Sequence, residues 1–414
     1  MDVLVERCAG LDVHRDTVVA TVRVPADGDG RRVRRHETRT FTTTTAGVIR
    51  LADWLVTHGV TRAGIESTGV YWKPVYYLLE DQVEVWLLNA EHLHNVPGRK
   101  TDVADSLWIA TLIEHGLVRP SFVPPAPIRE LRDLSRHRRT LIEERTRVVQ
   151  RLEKVMQDAG VKLTSVASNL LTKSGRAMLD ALLAGESDPQ VLAELAKGRL
   201  RSKIPALREA LAGRFRAAHH GFLVAQMLAH VDFLDTAIAD LDARLDQAAA
   251  PFQQLIDRIC TIPGVRQRTA IMLVAECGAD MATFRTAAHL ASWAGICPGN
   301  NASGGKSRTG HTRHGSIALR TALTEAAYAA TRTKGTYLAA HHARIRGRRG
   351  LPKAIGATRH DILIAYWHIV RNNTDYQELG PDWATRRLSV EHRTRKLVHQ
   401  LEQLGIKVHV ESAA

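Results

Sequence analysis

The sequence predicts a chain built in three parts: an α/β N-terminal domain, a long helical middle region and a mainly α C-terminal region. Three observations predict it. Short Val- and Thr-rich runs alternate with helical spacings through residue 115, the pattern of a sheet joined by crossover helices. Prolines at Pro120, Pro124, Pro125 and Pro127 then interrupt the chain. Beyond them, two apolar series at alternating spacings of three and four mark long helices. The expected boundaries are 1–120, 121–250, 251–350 and 351–414, within the two to four domains expected of 414 residues at roughly 100–200 residues each.

Residues 8–24 read as a β-hairpin. A short apolar strand reaches Asp12-Val13, a polar turn follows at His14-Arg15-Asp16, and an alternating strand returns. A Thr-rich strand follows at 36–44, and a helix at 45–58 is spaced through Val48, Leu51, Leu55 and Val56. Ala63-Gly64-Ile65-Glu66 is a short buried strand ending on a carboxylate. A helix at 71–80, a strand at 83–89 and a helix at 102–115 complete the order βββ-α-β-α-β-α.

After the prolines, Leu131, Leu134, Arg138, Leu141, Arg145, Val148, Leu152 and Val155 form one heptad series. Met227, Val231, Leu234, Ile238, Leu241 and Leu245 form a cleaner one. The first carries Arg at two seam positions. With a helical insert at about 160–220 between them, the pair reads as an antiparallel hairpin, an intermolecular coiled coil or an ordinary bundle core. Pro251 opens a mostly helical third region, and 386–410 reads as a charged helix and a short strand.

Composition excludes several classes. A 44% hydrophobic fraction is too high for a disordered chain. No run approaches the ~18 consecutive apolar residues of a membrane span, and residues 1–7 lack the basic and apolar pattern of a signal peptide. Four cysteines without CxxC spacing argue against a zinc site or a disulfide scaffold. The expectation is a reducing, cytoplasmic, nucleoid-associated setting with no membrane partner. Lys and Arg number 57 against 43 Asp and Glu, a formal charge of +14, and the pI is about 10.0. That balance suits a polyanion. The excess is concentrated: residues 301–350 hold ten Lys or Arg against one acidic residue, Glu325.

Three motifs carry chemistry. Asp12 and Glu66 end the first and fourth strands, and Asp102 and Asp105 share a helix face. In an RNase H-like sheet those strands are neighbours and the helix packs beside them, which would bring four carboxylates to one end. Such hard oxygen ligands suit Mg²⁺, and two ions can clamp a phosphoryl transfer. The plainer reading makes Asp102 and Asp105 a helix cap with its box partner and Asp12 a hairpin-edge residue. In Ile262-Pro263-Gly264-Val265-Arg266-Gln267-Arg268, a tight turn between helices reads as a helix-hairpin-helix. Gly264, Val265, Arg266 and Arg268 would then meet phosphate, or else the segment is a plain interhelical turn. Residues 297–316 are Gly-, Ser- and Arg-rich. Ser303, flanked by glycine and followed by Lys306, Arg308 and Arg313, reads as a nucleophile among phosphate-binding cations or as a passive loop. His341, His342, Arg344, Arg346, Arg348 and Arg349 extend the basic character along a helix.

Taken together these residues resemble the DEDD transposases of bacterial insertion sequences, the serine-dependent, bridge-RNA-guided group related to pilin-gene invertases. The N-terminal resemblance lies in Gly10-Leu11-Asp12-Val13-His14, Glu66-Ser67-Thr68-Gly69-Val70-Tyr71-Trp72 and Lys100-Thr101-Asp102-Val103-Ala104-Asp105. The C-terminal resemblance lies in Ile262-Pro263-Gly264-Val265, Gly295-Ile296-Cys297-Pro298-Gly299-Asn300-Asn301, Ser303-Gly304-Gly305-Lys306, Thr333-Lys334-Gly335-Thr336-Tyr337-Leu338 and Leu379-Gly380-Pro381-Asp382. The resemblance implies a Holliday-junction-resolvase-like RNase H domain, a coiled-coil region and a helical domain carrying a catalytic serine at Ser303. It implies that Asp12, Glu66, Asp102 and Asp105 bind Mg²⁺. It also implies DNA and a guide RNA as partners, and dimers or tetramers in which one subunit's serine domain completes another's carboxylate site. The function expected is a DNA transposase or recombinase. The alternatives are a metal-only junction-resolving nuclease and a non-catalytic nucleic-acid-binding protein.

Overall fold

A computed structural model of the chain describes residues 2–26, 34–66, 69–89, 102–297, 302–303, 306–307, 312, 314–386 and 390–409. The chain divides into two compact units, Met1–Pro124 and Pro125–Ala414.

The first unit runs β1 (Cys8–Val13), β2 (Thr17–Pro25), β3 (Arg34–Thr42), α1 (Thr45–Thr57), β4 (Arg62–Glu66), α2 (Trp72–Leu79), β5 (Glu84–Leu88) and α3 (Asp102–Glu114). The sheet order is β3-β2-β1-β4-β5. The first three strands pair antiparallel through short connections, and β1, β4 and β5 pair parallel. Parallel neighbours need crossovers, which α1 and α2 supply. One face of the sheet buries Leu11, Val18, Ala20, Val22 and Ile65 against Val48, Leu51 and Leu55 of α1 and Val75 and Leu79 of α2. The helix turns Trp54 inward, whereas Val56 is exposed, because 56 falls off the inward stripe that 48, 51 and 55 define.

Helix α3 covers the other face. It sits close because the residues beneath it are glycines. A Cβ on Gly10 would stand 2.0 Å from the Ser106 carbonyl oxygen and 2.5 Å from the Ala110 nitrogen, and one on Gly64 would stand 2.9 Å from Ile109 Cγ2. Cys8, Leu88, Ile109, Leu112 and Ile113 fill this second core layer. At its last residue the helix is held by Glu114, wholly buried between Arg23 (Nη2–Oε2 2.8 Å) and Arg34 (Nε–Oε1 2.5 Å).

The second unit opens with α4 (Ala126–Asp158). After α5 (Lys173–Leu183), α6 (Pro189–Glu194) and α7 (Ile204–Leu211) comes a second long helix, α8 (Phe222–Ala249). The two long helices pack antiparallel within the chain, with Val148 against Val231 and Leu234. The seam arginines have partners on the facing helix. Arg138 holds Asp242 (Nε–Oδ1 2.7 Å), and Arg145 holds Asp235 with both guanidinium arms. The helical stretch 217–259 contains an 18-residue window of mean hydropathy 1.4, enough by length and composition to cross a bilayer. Its acidic residues are nonetheless committed: Asp232 to Arg176 (2.7 and 2.8 Å) and Asp235 to Arg145. Charged pairs along the helix are costly at bilayer depth and ordinary in a water-facing helix pair.

The chain then forms α9 (Gln253–Ile259), α10 (Gln267–Cys277), α11 (Ala287–Trp293), a two-stranded ladder β6 (Ala302–Ser303) and β7 (Lys306–Ser307), α12 (Ile317–Ala330), α13 (Tyr337–Arg349), α14 (Leu351–Asn372), α15 (Trp383–Arg386) and α16 (Val390–Gln403). Helix α14 is the spine of this bundle. Its buried Tyr366 donates to the Gly278 carbonyl at 2.5 Å, and Trp367 Nε1 donates to the Phe284 carbonyl at 2.8 Å. Among the described residues no strand follows α16, where a short one was expected within 386–410. Residues 406–409 are irregular, since an isolated segment has no neighbouring strand to take its backbone hydrogen bonds.

The close approach of α3 yields a stability prediction. Gly10→Ala should lower the free energy of unfolding by about 2–3 kcal/mol, because backbone atoms rather than movable side chains meet the new methyl. Gly347→Ala, in open space on α13, should raise it by about 0.5–1 kcal/mol. Chemical-denaturation midpoints of the two variants should move in opposite directions.

Candidate functional site

The carboxylates of the first unit lie at one end of its sheet. Leu11 of β1 pairs with Ile65 of β4, so Asp12 and Glu66 are the next residues on two adjacent parallel strands. Both lie two positions beyond Gly10 and Gly64, and therefore on the face that α3 covers. The helix runs opposite to β1: Cys8 Sγ reaches the Ala110 carbonyl at 3.4 Å, and Gly10 lies under Ser106. Its first turn, with Asp102 and Asp105, thus starts at the strand ends that carry Asp12 and Glu66. The Ser106 hydroxyl bonds Thr21 at 2.7 Å, and Thr21 bonds Thr38 at 2.8 Å, a polar row crossing from helix to sheet. His14 Nε2 stands 3.2 Å from Asp12 Oδ2. The side chain of Asp102 lies outside the described residues. Among the described residues no three His, Cys, Asp or Glu side chains come together closely enough to hold a metal ion. The donor types, all carboxylate oxygens, are those a hard divalent cation takes.

The serine segment belongs to the second unit. Ser303 pairs with Lys306, and Ala302 with Ser307, in an antiparallel ladder. Arg308, Arg313 and the side chains of Ser303 and Lys306 lie outside the described residues. The roots of the segment are well fixed. Ile296 is buried, and a Cβ on Gly315 would meet the Ala294 carbonyl oxygen at 2.1 Å, so the chain leaves and returns at the end of α11. Ser316 then caps α12 by accepting from Leu319 N, and its hydroxyl donates to Glu276 Oε2 at 2.8 Å.

Glu276 is the hub beneath this root. It is 1% exposed, yet ionised and surrounded. Arg136 of α4 grips both oxygens at 2.7 and 2.8 Å, and Arg132 donates to the carbonyls of Ala275 and Glu276, each at 2.8 Å. Burial alone pushes the carboxyl pKa up; the Arg136 fork, the Arg132 charge and the Ser316 hydroxyl outweigh it and hold it below the usual glutamate value. Residue-type patterns pointed to none of these three partners. The available signal was one acidic residue inside the apolar run 270–277.

The turn before α10 is mainly packed inward. Gly264 has φ +86°, and a Cβ there would stand 2.4 Å from both the Ala326 oxygen and the Ala330 nitrogen, so the turn abuts the end of α12. Val265 is buried in the same contact region. Arg266 is exposed at the helix start. Arg268 is held by Asp246 (2.6 and 2.9 Å) and by Asp242 (3.1 Å), so it would have to give up those carboxylates to meet phosphate.

Removing the hub carboxylate should be costly. Glu276→Gln leaves the Arg136 and Arg132 charges uncompensated and should lower stability by about 2–3 kcal/mol, below the usual loss for a broken buried pair because Arg136 is half-exposed. The depressed pKa also sets a pH dependence. Above the ordinary glutamate value of 4.5 the ionised group contributes its full stability; as pH falls through and below that value the unfolded chain takes up a proton first and stability is lost. Urea unfolding at stepped pH should show a shallower acid loss in Glu276→Gln than in the parent.

With this geometry in view, the relationships of the chain are informative. Residues 9–160, which include all four carboxylates, match the family model described as a transposase of the DEDD, IS110 type. Residues 256–343, which include the Gly264 turn and Ser303, match the model described as transposase, IS116/IS110/IS902 family. A Pseudomonas aeruginosa protein described as a probable family 20 transposase is 25% identical over 242 residues, 57% of this chain and 61% of that protein. The chain thus spans about three fifths of the length of that relative. The first match runs through the proline linker into α4 and the second lies wholly within the second unit, so two separate stretches of the chain are similar to transposase domains of the IS110/IS116/IS902 type.

Proposed function

We propose that the protein is a DNA transposase of an insertion sequence, cutting and rejoining strands with Ser303 as nucleophile and Asp12, Glu66, Asp102 and Asp105 as a Mg²⁺-binding cluster. The observation that carries this reading is the pairing of two separate transposase domains, one containing the four carboxylates and the other Ser303. The adjacency of β1 and β4 and the start of α3 at their ends support the carboxylate assignment, since an RNase H-like metal site is built from those positions.

The chemistry follows from the residue types. When bound, Mg²⁺ would lower the charge on the scissile phosphate and on the leaving oxygen. The Ser303 oxygen attacks phosphorus as the phosphorus–oxygen bond to the departing strand breaks. The serine proton passes to a base, and the departing oxygen takes up a proton. The phosphoserine link keeps a phosphodiester's bond energy for religation. Lys306, Arg308 and Arg313 offset charge on the non-bridging oxygens. The exposed Arg266 and the packed Gly264–Val265 turn contact the backbone of the same nucleic acid. In this reading a structured guide RNA selects the ends and the target, and dimers or tetramers assemble the two halves of the site at the nucleoid.

Two variants test the two halves. With a plasmid carrying the element and its flanking DNA, a protein–DNA adduct stable to denaturation should form with the parent and vanish with Ser303→Ala. An undiminished adduct in that variant removes Ser303 from the mechanism, whereas cleavage by the parent with no adduct at all would indicate a metal-only nuclease. Asp105→Asn should reduce strand exchange on the order of a hundredfold while leaving nucleic-acid binding intact; exchange at the parent rate would dismiss the metal site, and absence of Mg²⁺-dependent cleavage by the parent would leave a binding protein without catalysis.

A further inference from the structure

The long helices and the hub show how this unit treats its arginines. Arg136, Arg138, Arg145 and Arg268 are partly buried, and each faces a carboxylate. Arg320 and Arg359 break that rule. Arg320 rises from the first turn of α12 and Arg359 from the middle of α14, and both are half-buried. Arg359 Nη1 donates to Thr324 Oγ1 at 3.3 Å, and the Thr324 hydroxyl donates to the Arg320 carbonyl at 2.6 Å. Arg320 Nη2 reaches the Gly315 carbonyl at 3.4 Å. Every acceptor here is neutral. Arg359 Nε is buried and has no acceptor among the described residues.

No nearby carboxylate supplies the missing charge. Among the described residues none pairs with either guanidinium. Residues 297–316 contain no Asp or Glu. Glu325 lines a cleft with Ser135, Arg138 and Arg268, and Asp361 is taken by His341 Nδ1 at 2.5 Å. Burial and the neighbouring Arg320 charge both make protonation of Arg359 harder than usual. Two like charges with an orphaned buried donor are unfavourable unless an anion joins them.

We infer that Arg320 and Arg359 form a phosphate-binding site that holds a DNA backbone phosphate at the C-terminal root of the serine segment. Guanidinium forks match the two non-bridging oxygens of a phosphodiester, and one such group supplies both the counter-charge and the acceptor that Arg359 Nε lacks. Arg320 bonds Gly315, the residue that anchors the segment, so a phosphate held here sits where the Ser303 ladder rejoins the bundle. Both residues are positioning residues for the strand.

The inference rests on the strand-transfer reading for the choice of DNA, but its test needs no cleavage. The probes are inorganic phosphate, a 30-base-pair DNA duplex of arbitrary sequence and the same sequence as RNA duplex. Phosphate at constant ionic strength should raise the melting temperature of the parent, and Arg359→Met should lose that response. Without phosphate, Arg359→Met should melt no lower than the parent, since an apolar side chain removes the like-charge conflict. DNA affinity should fall about tenfold, and the slope of log affinity against log salt should shrink by about 0.9 for one lost phosphate contact. Arg320→Gln should repeat these changes, which keeps the test open if the first variant folds poorly. Unchanged DNA affinity and slope in both variants would falsify the site. A phosphate response retained in a destabilised Arg359→Met would make the residue structural, and a loss confined to RNA would overturn the DNA assignment. Loss of the Ser303 adduct hypothesis would leave all these readouts standing.

Discussion

The second unit is organised around one buried negative charge. Glu276 sits at the end of α10, and its partners come from three elements: α4 through Arg132 and Arg136, its own helix end, and α12 through the cap Ser316. A carboxylate removed from water is tolerable only when its lone pairs are filled and its charge met, so the three elements cannot shift independently. The consequence reaches the chemistry. Ser316 is the last residue of the Gly- and Ser-rich segment, and Gly315 before it packs directly on Ala294. The segment is polar in sequence, and its C-terminal root is tied through Ser316 and Glu276 to α4. Reactive groups on loops gain precision from such fixed roots.

The first unit solves the same problem with small residues instead of charge at the working end. Gly10 and Gly64 let α3 lie almost on the backbone of β1 and β4, which sets the height of the helix above the sheet. Its position along the sheet is set at the far end, where Arg23 and Arg34 hold Glu114. The structural ion pair and the chemical carboxylates therefore occupy opposite ends of one helix. An arrangement with both at the same end would place cations beside the carboxylates proposed to bind metal and compete with an ion for them.

Much of this was readable in residue order. Period-two alternation in 17–25 and apolar glycine-containing strands at 8–13 and 62–66 marked the sheet, and the carboxylate at each strand end followed from the same reading. What escaped were pairings between distant positions. Arg138 and Arg145 stood out as flaws in a heptad seam because their partners, Asp242 and Asp235, lie about a hundred residues away on flanking positions of the facing helix. Arg268 looked like a phosphate ligand from its local motif, and only the fold shows Asp246 and Asp242 beside it. The short strand expected within 386–410 shows the same limit, since local propensity cannot supply a pairing edge.

These pairings change what a formal charge of +14 means. Counting treats each arginine alike, but a guanidinium already gripped by a carboxylate contributes little to the field a phosphate meets. In the second unit Arg138, Arg145 and Arg268 are neutralised in this way, and Glu276 takes up Arg136. Cations with no carboxylate partner among the described residues include Arg320 and Arg359 at the root of the serine segment and the exposed Arg344, Arg346, Arg348 and Arg349 along α13. Where positive potential is left follows from which arginines found partners rather than from how many the chain contains.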